Sequence, residues 1–172
     1  MKKPMRKPPS AETTDKRDAD ALARVHDMTE PERIRALMAN ARRLNVPEVY
    51  NAAFRRLVDV QSEAEPGTVA HDFWRTVHAF EQMLKEERGK TIRLTRTRQK
   101  IARVGEVRTL ADFADATKET QGFEMLIARQ MPELTGEAII LRHPDDFDDK
   151  TRDAAAARLS SAGVDPAQFT PA

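Results

Sequence analysis

Cysteine is absent from the chain, which excludes disulfide frameworks, thiolate metal sites and cysteine nucleophiles together. Aromatic residues make up only 5% of it, with one Trp and one Tyr, so a core has to be built from Leu, Ile, Val, Ala, Met and Phe. Strands draw on aromatic and β-branched residues, and their scarcity favours helices over a sandwich or barrel. Long apolar runs are missing too. The longest, such as 138–141, span about four residues, against the ~20 that a membrane-crossing helix needs. The first residues, Met-Lys-Lys-Pro-Met-Arg-Lys-Pro-Pro-Ser, carry charge with no apolar stretch behind it, unlike a secretory signal. A cytoplasmic protein that engages no membrane is the expectation.

What is present is charge. A third of the 172 residues are Asp, Glu, Lys or Arg, yet the net charge is only +1. The balance hides an asymmetry along the chain. Arg88, Lys90, Arg93, Arg96, Arg98, Lys100, Arg103 and Arg108 face a single acid, Glu106, whereas acids outnumber bases in the stretch that follows, from Asp112 to Asp149. Opposite charge in successive segments points to interaction surfaces rather than to a fold.

The apolar spacing predicts an all-α protein, a compact bundle of about six to eight short helices with a disordered basic N-terminal arm. Residues 1–27 are assigned to that arm, because the Lys-, Pro- and Asp-rich start offers too little apolar surface to offset the cost of ordering. A single helical domain is expected over 28–163, with a three-helix lobe at 28–89, a basic helix and acidic lobe at 90–163, and a short tail at 164–172. Thr29-Glu-Pro-Glu reads as a capping box opening a helix with Ile34, Leu37, Met38, Ala41 and Leu44 on its inner face. A second helix follows Pro47, with Val49, Ala53, Phe54 and Leu57 turned inward. The third, over 68–88, carries Phe73, Trp74, Val77, Phe80 and Leu84, and Gly89 is placed to close it. Further helices are predicted over 95–104, from Thr109, from Gly122, through 132–141 and over 149–161. The adjacent Ile139, Ile140 and Leu141 also suit a strand, but no partner strand is evident.

The basic segment, 90–108, carries the sharpest functional signal. With helical steps of about 100°, Arg93, Arg96, Lys100 and Arg103 fall within a sector of about 80°, and Leu94, Thr97, Ile101 and Val104 form the adjoining stripe. A helix anchored along one side and lined with cations on the other can meet successive phosphates, and guanidinium forks pair bidentately with phosphate oxygens. Thr91, Thr95 and Thr97 add hydroxyl donors to the same region. The candidate nucleic-acid-binding residues are therefore Arg93, Arg96, Lys100 and Arg103, with Arg98, Lys90 and Arg108 beside them, and DNA ranks ahead of RNA as partner. The alternative is a protein-interaction module with no catalysis, an adaptor or inhibitor using opposed basic and acidic surfaces to dock on an acidic protein surface or on a second copy as a homodimer. Ranked with it is pairing of the basic face with the acidic second half of the same chain. A solvated charged face ranks third. Helix, Gly105, helix is a poor match to a helix-turn-helix, since its second helix bears Asp112 and Asp115 where phosphates would lie.

Catalysis finds little footing. His71, Asp72, His78 and Glu81 share the third helix, but no matching ligand motif occurs on another one. Glu86, Glu87 and Lys90 sit at a helix end rather than converging as a metal-dependent nuclease requires. The run 143–149 lacks the ligand spacing, central Gly and final Glu of an EF-hand loop. No glycine-rich phosphate loop, serine elbow or metalloprotease signature occurs. No catalytic residue, metal or cofactor is assigned.

Overall fold

The computed structural model describes residues 11–172, and every regular element among them is helical. The chain divides into two compact units, the first running to Val60 and the second starting at Gln61. The lobe border expected at 89/90 falls inside the second of these units. The helix before Gly89 packs with the helices that follow it, because its apolar stripe belongs to the same core as theirs.

The first unit holds α1 (Ala11–Val25), α2 (Pro31–Arg43) and α3 (Pro47–Gln61), the last running one residue past the boundary. The arm expected over 1–27 is helical across α1. Ala, Glu, Lys, Arg and Leu dominate that stretch, and their helix propensity outweighs its low apolar content. The arm's first ten residues lie outside the described ones. Ile34, Met38 and Ala41 on α2 and Val49, Ala53, Phe54, Leu57 and Val58 on α3 are buried, as the spacing predicted; Leu44, predicted on the inner face of α2, is instead 41% exposed. The α2 cap is not Thr29 but Glu30, with Pro31 in the first turn and no side-chain cap hydrogen bond. Asn45, at φ 55°, ends α2 in the left-handed conformation, and the Val46 amide then bonds back to the Ala41 carbonyl, closing orphan carbonyls of the last turn. Arg56 ties α3 to the loop after α1 by donating from Nε to the Met28 carbonyl at 2.8 Å.

The second unit contains α4 (Val69–Arg88), α5 (Thr95–Val104), α6 (Glu106–Asp115), α7 (Gln121–Ala128), α8 (Gly136–Arg142) and α9 (Asp149–Ser161). Short α8 lies at its centre, in contact with α4, α6 and α9. Ala138, Ile139 and Ile140 have no exposed surface, so the continuous apolar run marks a helix buried all round and not a strand. The tail expected over 164–172 also contributes: it turns through Pro166–Phe169, and Phe169 joins the core cluster. The helix predicted from Thr109 begins three residues earlier, at Glu106. Thr109 is buried and donates its hydroxyl to the Gly105 carbonyl at 2.7 Å, a bond within the first turn rather than a cap.

Local end signals set α4. The Thr68 hydroxyl accepts the His71 amide at 3.1 Å and donates to the Glu65 carbonyl at 2.7 Å, while Gly89, at φ 68°, bonds its amide to the Lys85 carbonyl. Thr68→Ala is expected to destabilise the second unit by about 1 kcal/mol, and Thr68→Ser to restore most of that. Urea unfolding of the three proteins, followed by fluorescence of the single tryptophan, checks this; equal stability of Ala and Ser variants would remove the cap from the account.

Candidate nucleic-acid interface

Helix α5 contains no acidic residue and is fastened to both α4 and α6. Leu94 and Ile101 reach the second unit's apolar cluster. At its entry the Leu94 amide donates to Glu81 Oε1 at 2.7 Å, and one turn later Arg98 reaches the same carboxylate through Nε to Oε1 at 2.8 Å and Nη2 to Oε2 at 2.7 Å. The Arg98 guanidinium also lies 5.0 Å from the centre of the Trp74 ring, and Trp74 Nε1 donates to Glu106 Oε1 at 3.1 Å. One face of α4 therefore holds the start of α5 through Glu81 and the start of α6 through Trp74. Burial pushes the Glu81 carboxyl up, but the Arg98 guanidinium and the Leu94 amide outweigh it and hold the group below its usual range. Burial and the nearby Arg98 charge depress His78, which stands beside the Trp74 ring.

The seven predicted cations separate into two groups. Arg98 is an anchor of the helix and is withdrawn from any phosphate. Lys100 pairs with Asp112 of α6 at 2.8 Å and lies 5.3 Å from the Phe113 ring centre, so it also fastens α5 rather than joining the outer face. Arg108 meets the other oxygen of Asp112 at 2.9 Å, with its side chain still 71% exposed. The Lys100 ammonium, hydrogen-bonded to Asp112, lowers that carboxyl's pKa, with Arg108 adding to it. Lys90, Arg93, Arg96 and Arg103 are exposed, and among the described residues none of them forms an ion pair. The surface therefore consists of Arg96 and Arg103 on α5, Arg93 and Lys90 on the segment leading into it, and Arg108 at its margin. Arg88, exposed at the end of α4, adds a cation to the same stretch of chain.

Two details of the predicted helix face change. Val104, expected in the buried stripe, is 39% exposed, because α5 ends there and Gly105 (φ 83°, ψ 170°) redirects the chain into α6. Thr97 is half-buried and lines a partly open cavity, so it stands away from the cationic face, whereas Thr91 and Thr95 are exposed. Sequence reasoning missed the anchoring set. The only signal was the spacing of Trp74, His78 and Glu81 along one side of α4, which names no partner.

The residues considered as metal ligands belong to separate networks. His71 Nδ1 lies 3.0 Å from the Ala64 carbonyl. Asp72 accepts from His143 Nε2 at 2.9 Å and from Arg142 Nε at 3.3 Å. Burial raises that carboxyl, but these partners and Arg75 bring it below its ordinary pKa. Among the described residues, no group of three His, Asp or Glu is placed to hold a metal ion, and no helix is long and apolar enough to cross a membrane.

A second buried ion pair secures the far side of α6. Glu137 Oε1 accepts from Arg158 Nη1 at 2.9 Å, and the same guanidinium donates to the carbonyls of Phe113, Ala114 and Ala116 at 3.0, 3.2 and 2.6 Å. Arg158 thereby satisfies orphan carbonyls at the C-terminal end of α6, where cations are favoured. Burial raises the Glu137 carboxyl above its usual range, with Arg158 opposing part of the rise. The helix that pairs with Lys100 is thus pinned at both ends. Comparison of the chain with protein-family models, with curated proteins and with solved structures yields no match.

Proposed function

We propose that this protein is a nucleic-acid-binding accessory or regulatory protein that contacts the phosphate backbone through Lys90, Arg93, Arg96 and Arg103. The observation that carries the reading is the division of labour on α5. Arg98 and Lys100 are consumed in fastening the helix to Glu81 and Asp112, whereas Arg96 and Arg103 on the helix and Lys90 and Arg93 on the segment leading into it stay exposed, with no acid between Lys90 and Gly105. Simple solvation accounts for exposed charge, but not for a one-signed row on a helix held at two points. A fixed row loses less conformational entropy when it meets phosphates than loose side chains on a mobile segment do.

The preferred substrate is duplex, with DNA ahead of RNA. Binding of single strands relies on exposed aromatic rings as stacking platforms, and all nine Phe, Trp and Tyr residues here are buried or half-buried. The acids of α6 argue against entry of that helix into a groove, so contacts fall on the backbone and carry little sequence preference.

The test compares duplex DNA binding at low salt for the wild type, for Arg93→Gln/Arg96→Gln/Arg103→Gln and for Lys100→Gln. The triple change is expected to weaken binding by at least about tenfold. Lys100→Gln is expected to change affinity only slightly, because that charge is already paired. Equal losses in both variants contradict the assignment, as does tighter binding to single strands.

A protein-interaction role has one specific observation in its favour. Val104 and Val107 are exposed between Arg103 and Arg108, and an apolar pair flanked by cations suits an acidic protein surface or a second copy of the chain. In that case Val104→Ser/Val107→Ser abolishes association while the triple Gln change only slows it, the reverse of the order expected for nucleic acid.

A further inference from the structure

The second unit holds a partly open cavity of about 100 Å³ between α4, α5, α6, α7 and α8. Phe73, Phe80, Phe113, Phe123, Leu126 and Ile140 supply apolar wall. Two glycines shape it. A Cβ at Gly122 would stand 3.2 Å from Cδ1 of Phe80, and one at Gly136 only 2.9 Å from Cδ2 of Leu110, so a side chain at either position displaces a wall residue.

Four threonines line the cavity, of which Thr76 and Thr135 donate their hydroxyls to the Leu134 and Pro132 carbonyls at 2.6 and 2.7 Å. Thr97 and Thr120 contribute the other hydroxyls, and Glu137 contributes a buried carboxylate. The Thr120 oxygen accepts the Phe123 amide at 3.1 Å, which leaves its proton to donate. The Glu137 charge is balanced by Arg158 at 2.9 Å. An anion entering the cavity would meet the Glu137 carboxylate. A cation would give up its hydration for a carboxylate that is already neutralised. Both are disfavoured, and what the lining accepts is an apolar body with one uncharged polar group.

We infer that this cavity is a binding site for a small uncharged molecule, one ring in size, whose single hydroxyl hydrogen-bonds to the Thr97, Thr120 and Glu137 edge. Volume sets an upper limit: at about 100 Å³ the space is smaller than the roughly 150 Å³ apolar cavity that holds a benzene ring, so a single ring is the most it takes and fused rings are excluded. The inference stands apart from the nucleic-acid reading and does not rest on it.

The test uses the full chain and four probes: phenol, benzene, benzoate and benzylammonium. Each is titrated while amide signals of the cavity lining are followed by NMR. Phenol is expected to shift those signals saturably with a Kd of roughly 1 mM. Benzene is expected to bind more weakly, and the two charged analogues at least about tenfold more weakly than phenol. Ala114→Leu and Thr97→Leu both fill the space and are expected to abolish the phenol shifts. Ala114 is buried, and if its variant fails to fold, Thr97→Leu at the half-buried rim decides. No saturable phenol binding, charged analogues that bind as well as phenol, or phenol binding that persists in a folded filled variant each overturns the inference.

Discussion

Arg158→Ala is expected to destabilise the second unit by about 3–5 kcal/mol, the largest loss from any single change considered. The side chains of Arg158 and Glu137 are only 10% and 6% exposed, so truncating Arg158 leaves a carboxylate with neither water nor partner. It also strips three carbonyls at the end of α6 of their donor. Glu137→Gln is milder, because the amide oxygen still accepts from Arg158 and the guanidinium keeps its three carbonyl acceptors at the end of α6. The pH dependence separates the two proteins further. Glu137 titrates above its ordinary value in the folded chain, so its contribution is fully present below the unfolded pKa and is lost as pH rises through the folded one. The stability of the wild type relative to Glu137→Gln should therefore fall across that interval. Trp74 is the only tryptophan and lies in the second unit, so its fluorescence during urea unfolding reports on the unit concerned. A loss below about 1 kcal/mol for Arg158→Ala would place it with ordinary surface arginines.

Glu81→Ala is expected to cost about 2–3 kcal/mol, less than Arg158→Ala because the Glu81–Arg98 bridge reaches solvent at its edge. The change removes the acceptor for both the Leu94 amide and the Arg98 guanidinium, so the start of α5 loses its attachment to α4. Hydrogen exchange of the α5 amides should accelerate while α8 and α9 remain protected. The sign of the pH effect is opposite to that of Glu137. Glu81 titrates below its ordinary value in the folded state, so its contribution is present above the unfolded pKa and is lost as pH falls through the folded one. Unchanged exchange in α5 would show that Leu94 and Ile101 hold the helix without the bridge.

The features legible in the sequence are those set by near neighbours. The ends of α5 and the Gly89 stop depend on a few adjacent residues, and the inner faces of α2, α3 and α4 on helical spacing. Even local chemistry fell short at α1, where low hydrophobicity argued for disorder and helix propensity argued against it. The long-range pairings were not legible. Arg98 lies 17 residues from Glu81, and Arg158 lies 21 from Glu137 and more than 40 from the carbonyls it caps. Periodicity identifies a buried face but not the element that covers it, and a charge count does not distinguish a paired cation from an exposed one. That is why Arg98 and Lys100 were grouped with Arg96 and Arg103. Phe169 illustrates the same limit, since a single aromatic residue in a Pro-containing tail carries no period to mark it as core.

The most direct test of the proposed surface is the salt dependence of duplex DNA binding. Each neutralised phosphate contributes about −0.9 to the slope of log K against log salt. Four contacts from Lys90, Arg93, Arg96 and Arg103 predict a slope of roughly −3.6, and the triple Gln variant, with one contact left, a slope near −0.9. A wild-type slope close to zero, or one that the triple change leaves intact, would contradict the claim that this face of α5 meets phosphate.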